Sequence, residues 1–109
     1  LYVTEGDLRF DVDAGVPNER FETQPGFNSV GDTVEWRLRD GKPFAIILRY
    51  NSQDVEAGRD RTDLAVISVG RPGEPGCLVD WVPANAQPSQ NEAARTIADG
   101  QATTVDCTA

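Results

Sequence analysis

The 109-residue sequence contains no histidine, no methionine, one lysine (Lys42) and two cysteines, Cys77 and Cys107. Each scarcity removes a class of chemistry. Without histidine there is no Ser-His-Asp or Cys-His catalytic arrangement, no histidine-ligated metal and no imidazole switch near neutral pH. Two cysteines alone fall short of the four nitrogen or sulfur ligands usual for zinc. They form no C-x-x-C, and no base stands ready to activate a thiol. P-loop and dinucleotide fingerprints are missing. No run approaches eighteen apolar residues, so no membrane insertion is expected. The chain opens without methionine, as trimming or removal of a secretory leader would each leave it, and the cysteines must arbitrate between the two.

Positive charge is scarce as well. Ten basic residues face eighteen acidic ones, for a net charge of −8. The basic residues are scattered, whereas a nucleic-acid binder needs a basic stripe to displace counterions from phosphates. Anionic membrane surfaces are disfavoured on the same ground. An acidic surface speeds encounter with a cationic partner, and it also simply keeps a domain soluble.

The length fits one domain spanning 1–109, and 39% apolar and 26% charged residues are ordinary for a globular chain. In "TVEWRLRDGKPFAIILRY", Val34, Trp36 and Leu38 alternate with Glu35, Arg37 and Arg39. That period of two marks a half-buried strand. Asp40-Gly41 reverses the chain. The run from Phe44 to Tyr50 is apolar on both faces, with Phe44, Ile46 and Leu48 expected on one and Ala45 and Ile47 on the other, so it belongs inside a sheet. A second hairpin is expected from Leu64–Val69 and Cys77–Val82 around the "GRPGEPG" loop. In that second strand Cys77, Val79 and Trp81 are expected on one face. Leu8, Phe10 and Val12 mark a strand near the start. Residues 13–32 are rich in turn formers, with Phe21 and Phe27 as candidate core plugs.

"PSQNEAARTIADG" reads as a helix. Ser89 and Glu92 have the spacing of a capping box, Gly100 is placed for the C-cap, and Ala93, Ala94, Ile97 and Ala98 share one face. Asn91, Arg95, Thr96 and Asp99 are expected to look toward water. The even cysteine count in a small, loop-rich domain favours a Cys77–Cys107 disulfide over two buried free thiols. Such a bond would tie the end of the chain back across the helix.

Carboxylates are the remaining source of chemistry. Asp11 to Gly15 ("DVDAG") has the opening of a calcium loop but lacks its third oxygen ligand and distal glutamate. The polar connection 51–63 places Asp54, Glu56, Asp60 and Asp63 beside Arg59 and Arg61. Mixed charge of this kind favours a solvated, self-neutralising loop over a calcium site. Glycosidase chemistry needs two carboxyls facing each other across a cleft, for which a domain this small has little room.

The blocks W-R-x-x-x-G-x-P-F-A-x-I-x-R (Trp36 to Arg49), C-x-V-x-x-V-x-A (Cys77 to Ala84) and N-x-x-A-R-x-I-A-D (Asn91 to Asp99), followed by a last cysteine, resemble a group of small secreted bacterial proteins of unknown function. The resemblance covers about the last two-thirds of the chain, and the first thirty residues have no counterpart in it. It implies export and a paired cysteine, and it implies no activity.

The expected fold is α+β: an antiparallel sheet of about four to six strands with one C-terminal helix on a face and one disulfide. The expected function is a non-catalytic binding module, periplasmic or secreted, that meets a cationic protein or an envelope component and needs no cofactor or metal. The rivals are an inhibitor of a cationic lytic enzyme and a carboxylate-based or calcium-dependent enzyme. The candidate binding residues are Arg37, Arg39, Asp54, Glu56, Asp60 and Asp63.

Overall fold

Asp40 (φ 53°) and Gly41 (φ 76°) both take the left-handed backbone conformation. A two-residue turn needs this to follow the twist of the strands it joins. The turn links β3 (Asn28–Arg39) to β4 (Lys42–Asp54), and the chain continues as a meander through β5 (Arg59–Ser68) and β6 (Leu78–Pro83). These strands form one antiparallel sheet in the order β3-β4-β5-β6. A separate two-stranded ribbon pairs β1 (Tyr2–Gly6) with β2 (Arg9–Asp13), and one helix, α1 (Gln90–Gln101), follows β6. The computed structural model describes residues 2–6, 9–15, 28–54, 59–71, 73–105 and 107. The expected strand start at Leu8 and the plugs Phe21 and Phe27 lie outside them.

Two cores lie on opposite faces of the four-stranded sheet. On one, Ile47, Leu64, Val66 and Val82 pack beneath Ala94, Ala98 and Ala102 of α1 and its C-cap. The alanines leave little between helix and sheet, so the helix lies close. On the other, Val12 and Ala14 from the ribbon meet Ile46, Leu48, Tyr50, Ala65 and Ile67. Tyr50 and Trp81 meet there edge to face, with ring centroids 4.8 Å apart.

Strict alternation fails at two β-bulges. Arg37 pairs with Ala45 and Leu38 with Pro43, which leaves Phe44 as an extra residue in β4. The bulge turns Phe44 away from the face of Ile46 and into the helix-side core. In β6, Asp80 pairs with Val66 and Leu78 with Ile67, so Val79 is extra. Val79 then packs on the helix side while Trp81 packs on the ribbon side, instead of sharing one face. Alternation in a single sequence carries no mark of where a residue has been inserted.

The polar stretch 51–63 is largely sheet. Pairs run without interruption from Ala45↔Ser68 through Asn51↔Thr62 to Asp54↔Arg59. Of the expected long loop, 51–54 and 59–63 belong to β4 and β5, and 55–58 lie outside the described residues. Backbone pairing needs no apolar side chains, so a ladder started by the central apolar run extends outward through polar residues.

The helix starts where expected: Ser89 Oγ accepts the Glu92 backbone N–H at 3.2 Å. It runs through Gly100, and its C-cap is Ala102 in ordinary right-handed conformation. Gln90 Nε2 pins the first turn to the sheet by donating to Thr62 O and Val82 O.

Cys77 and Cys107 form a disulfide that closes a separation of 30 residues, with their Cα atoms 5.4 Å apart. On the chain-entropy argument a loop of that size is worth about 3–4 kcal/mol. Ser68 holds the β6 end of the bond. Its backbone N–H donates to Cys77 O and its Oγ accepts the Cys77 N–H, both at 2.9 Å. Beside it, Ala14 O accepts the Gly70 N–H at 2.7 Å. A Cβ on Gly76 would strike Ser68 O and sit 2.6 Å from Gly70 N, whereas one on Gly100 would meet nothing within 4 Å. Gly76→Ala is therefore expected to destabilise the domain by more than about 2 kcal/mol. Gly100→Ala is expected to stabilise it by up to about 1 kcal/mol through helix propensity. Paired urea denaturation curves of the two variants check this.

Candidate functional site

The polar row of β3 faces the helix. Glu35 and Arg37 pair in register with Ile47 and Ala45, which belong to the helix-side core, so both side chains emerge beside α1. One helical position away from Ala94 and Ala98, Arg95 and Asp99 reach out to meet them. Arg95 donates to both oxygens of Glu35, Nε to Oε2 at 2.9 Å and Nη2 to Oε1 at 2.7 Å. Arg37 makes the matching fork on Asp99, with its shortest contact 2.9 Å to Oδ2. Arg37 Nη1 also lies 3.5 Å from Glu35 Oε2, which joins the two pairs into one seam. Arg39 extends it: Nη2 donates to the Asp99 carbonyl at 3.0 Å, and the guanidinium sits 4.6 Å from the centre of the Phe44 ring. The last turn of α1 contains no basic residue. A cation delivered from β3 supplies the charge its carbonyl end favours.

Arg95 and Asp99 thus do not simply look toward water, although both remain well exposed. Helical spacing alone puts them on the outer flank, but the reach of arginine lets a flank residue contact the neighbouring strand. Bidentate arginine–carboxylate geometry makes these stronger than single-contact surface pairs. The hydrogen bond from Arg95 holds the Glu35 carboxyl below the usual glutamate range, and the positive charges of Arg95 and Arg37 add to this against desolvation and the nearby Asp99. The same bond pushes Arg95 upward.

On the ribbon-side face, β3 presents Trp36, 44% exposed, and Leu38, 62% exposed. Val34 on that face packs against the second core. The strand read as half-buried therefore carries its charges against the helix and leaves two of its three apolar residues open.

The remaining candidates are dispersed. Asp54 and Asp60 are strand residues opposite Arg59 and Gln53, and Asp63 is buried opposite Tyr50 and Pro83. Glu56 lies outside the described residues. The stretch Asp11 to Gly15 carries the end of β2 with both Asp11 and Asp13 buried, so its carboxylates belong to a strand rather than to a calcium-type loop. Among the described residues no three histidine, cysteine, aspartate or glutamate side chains gather as metal ligands would. A cleft of about 130 Å³ opens beside the disulfide, lined in part by Phe44, Ser68, Arg71, Glu74, Thr103 and Cys107. Ser68 and Gln90 escape a sequence reading, since a serine ending a strand and a glutamine opening a helix are common and unremarked. Their roles come from backbone groups brought near by the fold.

No family model matches the chain, and no curated protein or solved structure is significantly similar to it.

Because the Glu35 pKa is lowered in the folded state, its contribution to stability is full above the ordinary glutamate range and is lost as pH falls through the folded value. Glu35→Gln should melt below the wild type near neutral pH, and the gap should close on acidification. Arg37→Ala should cost about 0.5–1 kcal/mol, the scale of a part-exposed pair. Melting curves across a pH series check both, and a Glu35→Gln gap that does not change with pH would contradict the assignment.

Proposed function

We propose that this domain is an exported, non-catalytic binding module whose partner is a cationic protein or a component of the cell envelope. The observation that carries the reading is the Cys77–Cys107 disulfide, which ties the entrance of β6 to the segment beyond α1. Structural disulfides in small domains belong to oxidising compartments. The net charge of −8 sets the preferred sign of the partner.

The non-catalytic part rests on the chemistry the chain lacks. Histidine is absent from the chain. Inhibition of a cationic lytic enzyme is a specific form of the same reading. A surface held rigid by a disulfide and two arginine forks loses little freedom on binding. A carboxylate-based or calcium-dependent enzyme is less well supported, because Asp54, Asp60 and Asp63 are spread along one ladder.

The purified, unreduced chain titrated by calorimetry into a cationic muramidase, and separately into soluble peptidoglycan fragments, tests the reading. Saturable binding to either is expected, and binding to the enzyme should weaken more than tenfold when salt is raised from about 50 to 500 mM. No binding to either, or a calcium-dependent rise in melting temperature accompanied by hydrolysis of the fragments, would overturn it.

A further inference from the structure

Among the described residues β2 packs near β3, but no strand pairs with β3 on the side away from β4. An edge of this kind presents unpaired backbone N–H and C=O groups to any chain that can match it. The usable segment has clear limits. Pairing with β4 shifts between Val30 and Val34, where β3 bulges, and the Asp40-Gly41 turn ends the strand on the other side. Between them runs Val34–Arg39, with Trp36 and Leu38 exposed on one face and Glu35 and Arg37 on the other.

We propose that the chain self-associates through this edge, two copies pairing Val34–Leu38 antiparallel about a two-fold axis at Trp36. In that register Glu35 lies opposite the second copy's Arg37 and Arg37 opposite its Glu35. Val34 lies opposite Leu38, and the two Trp36 side chains meet on the axis. Every central pair is then matched, opposite charges on the helix face and apolar groups on the ribbon face. Neighbouring registers lose this match. An axis at Glu35 sets two glutamates against each other, and one at Arg37 sets two arginines. A shift by a single residue puts the apolar row of one copy on the face of the other's charged row. Alternating charge on an edge ordinarily discourages pairing. This edge repels most strands, but its charge order is complementary to itself when reversed. The match covers both faces, and it brings together the two large apolar side chains that the folded monomer leaves open on this strand.

Sedimentation velocity over a hundredfold dilution series reads the state of the intact chain. Concentration-dependent conversion to twice the chain mass is expected. Trp36→Glu places two carboxylates on the axis and should return the protein to monomer, and Leu38→Glu should weaken the dimer. Both positions are exposed, and a wild-type far-UV circular dichroism spectrum with a cooperative melt confirms that each variant folds, at a melting temperature lowered by no more than loss of the dimer explains. As a second readout, Trp36→Cys should form a covalent dimer on mild oxidation far faster than Val3→Cys, a control at another exposed apolar position. A wild-type chain that stays monomeric throughout, a dimer that folded Trp36→Glu leaves intact, or equal cross-linking at positions 36 and 3 would each overturn the proposal.

Discussion

The Cys77–Cys107 bond is the constraint on which the rest of this structure leans. It joins the two ends of the β6–α1 unit, so the helix is closed against the sheet by covalent geometry as well as by packing. That matters because the packing is thin. The buried face of α1 consists of Ala94 and Ala98, with Ala102 at the cap. Alanine buries few atoms, and at about 25 cal/mol per Å² of apolar surface this contact is worth less than a leucine-lined one. Close approach is what the alanines provide. The bond, the Gln90 contacts at one end and the arginine forks along the flank supply the retention.

The forks explain the arrangement of β3. A strand at the edge of a sheet with a helix on one face has three surfaces to manage: the face under the helix flank, the opposite face and the open edge. Glu35 and Arg37 manage the first by exchanging partners with Arg95 and Asp99. The opposite face is only partly managed. Val34 is covered by the ribbon-side core, and coverage gives out toward Trp36 and Leu38. Residues that look like a solvated strand face are therefore a helix-docking device, and the apolar residues that look like core are the accessible ones.

Much of the architecture was legible because several local signals agreed. Alternation, the Asp-Gly turn and the apolar run of β4 point to one hairpin, and Ser89 with the alanine face points to one helix. The cysteine pair was legible from its count and the character of the domain. Legibility ended where tertiary context decides. The bulges at Phe44 and Val79 invert faces without a compositional signal. The 51–63 ladder is too polar to announce itself as sheet, although Asp54 opposite Arg59 has the charge order of a cross-strand pair. The ribbon strand β1 was invisible because its pairing partner β2 defines it. Of the proposed binding residues, Arg37 and Arg39 do lie together, but they are committed to Asp99. The acidic members fall along a ladder and do not share a pocket.

The account stands or falls on the state of the two sulfurs in the chain as purified without reductant. Intact mass after denaturation in excess alkylating reagent decides it most directly. The account predicts no alkyl group added until a reductant is supplied, and two added afterwards. Two groups added without reductant would mean free thiols, leaving the helix without its covalent tie to the sheet and removing the ground for export.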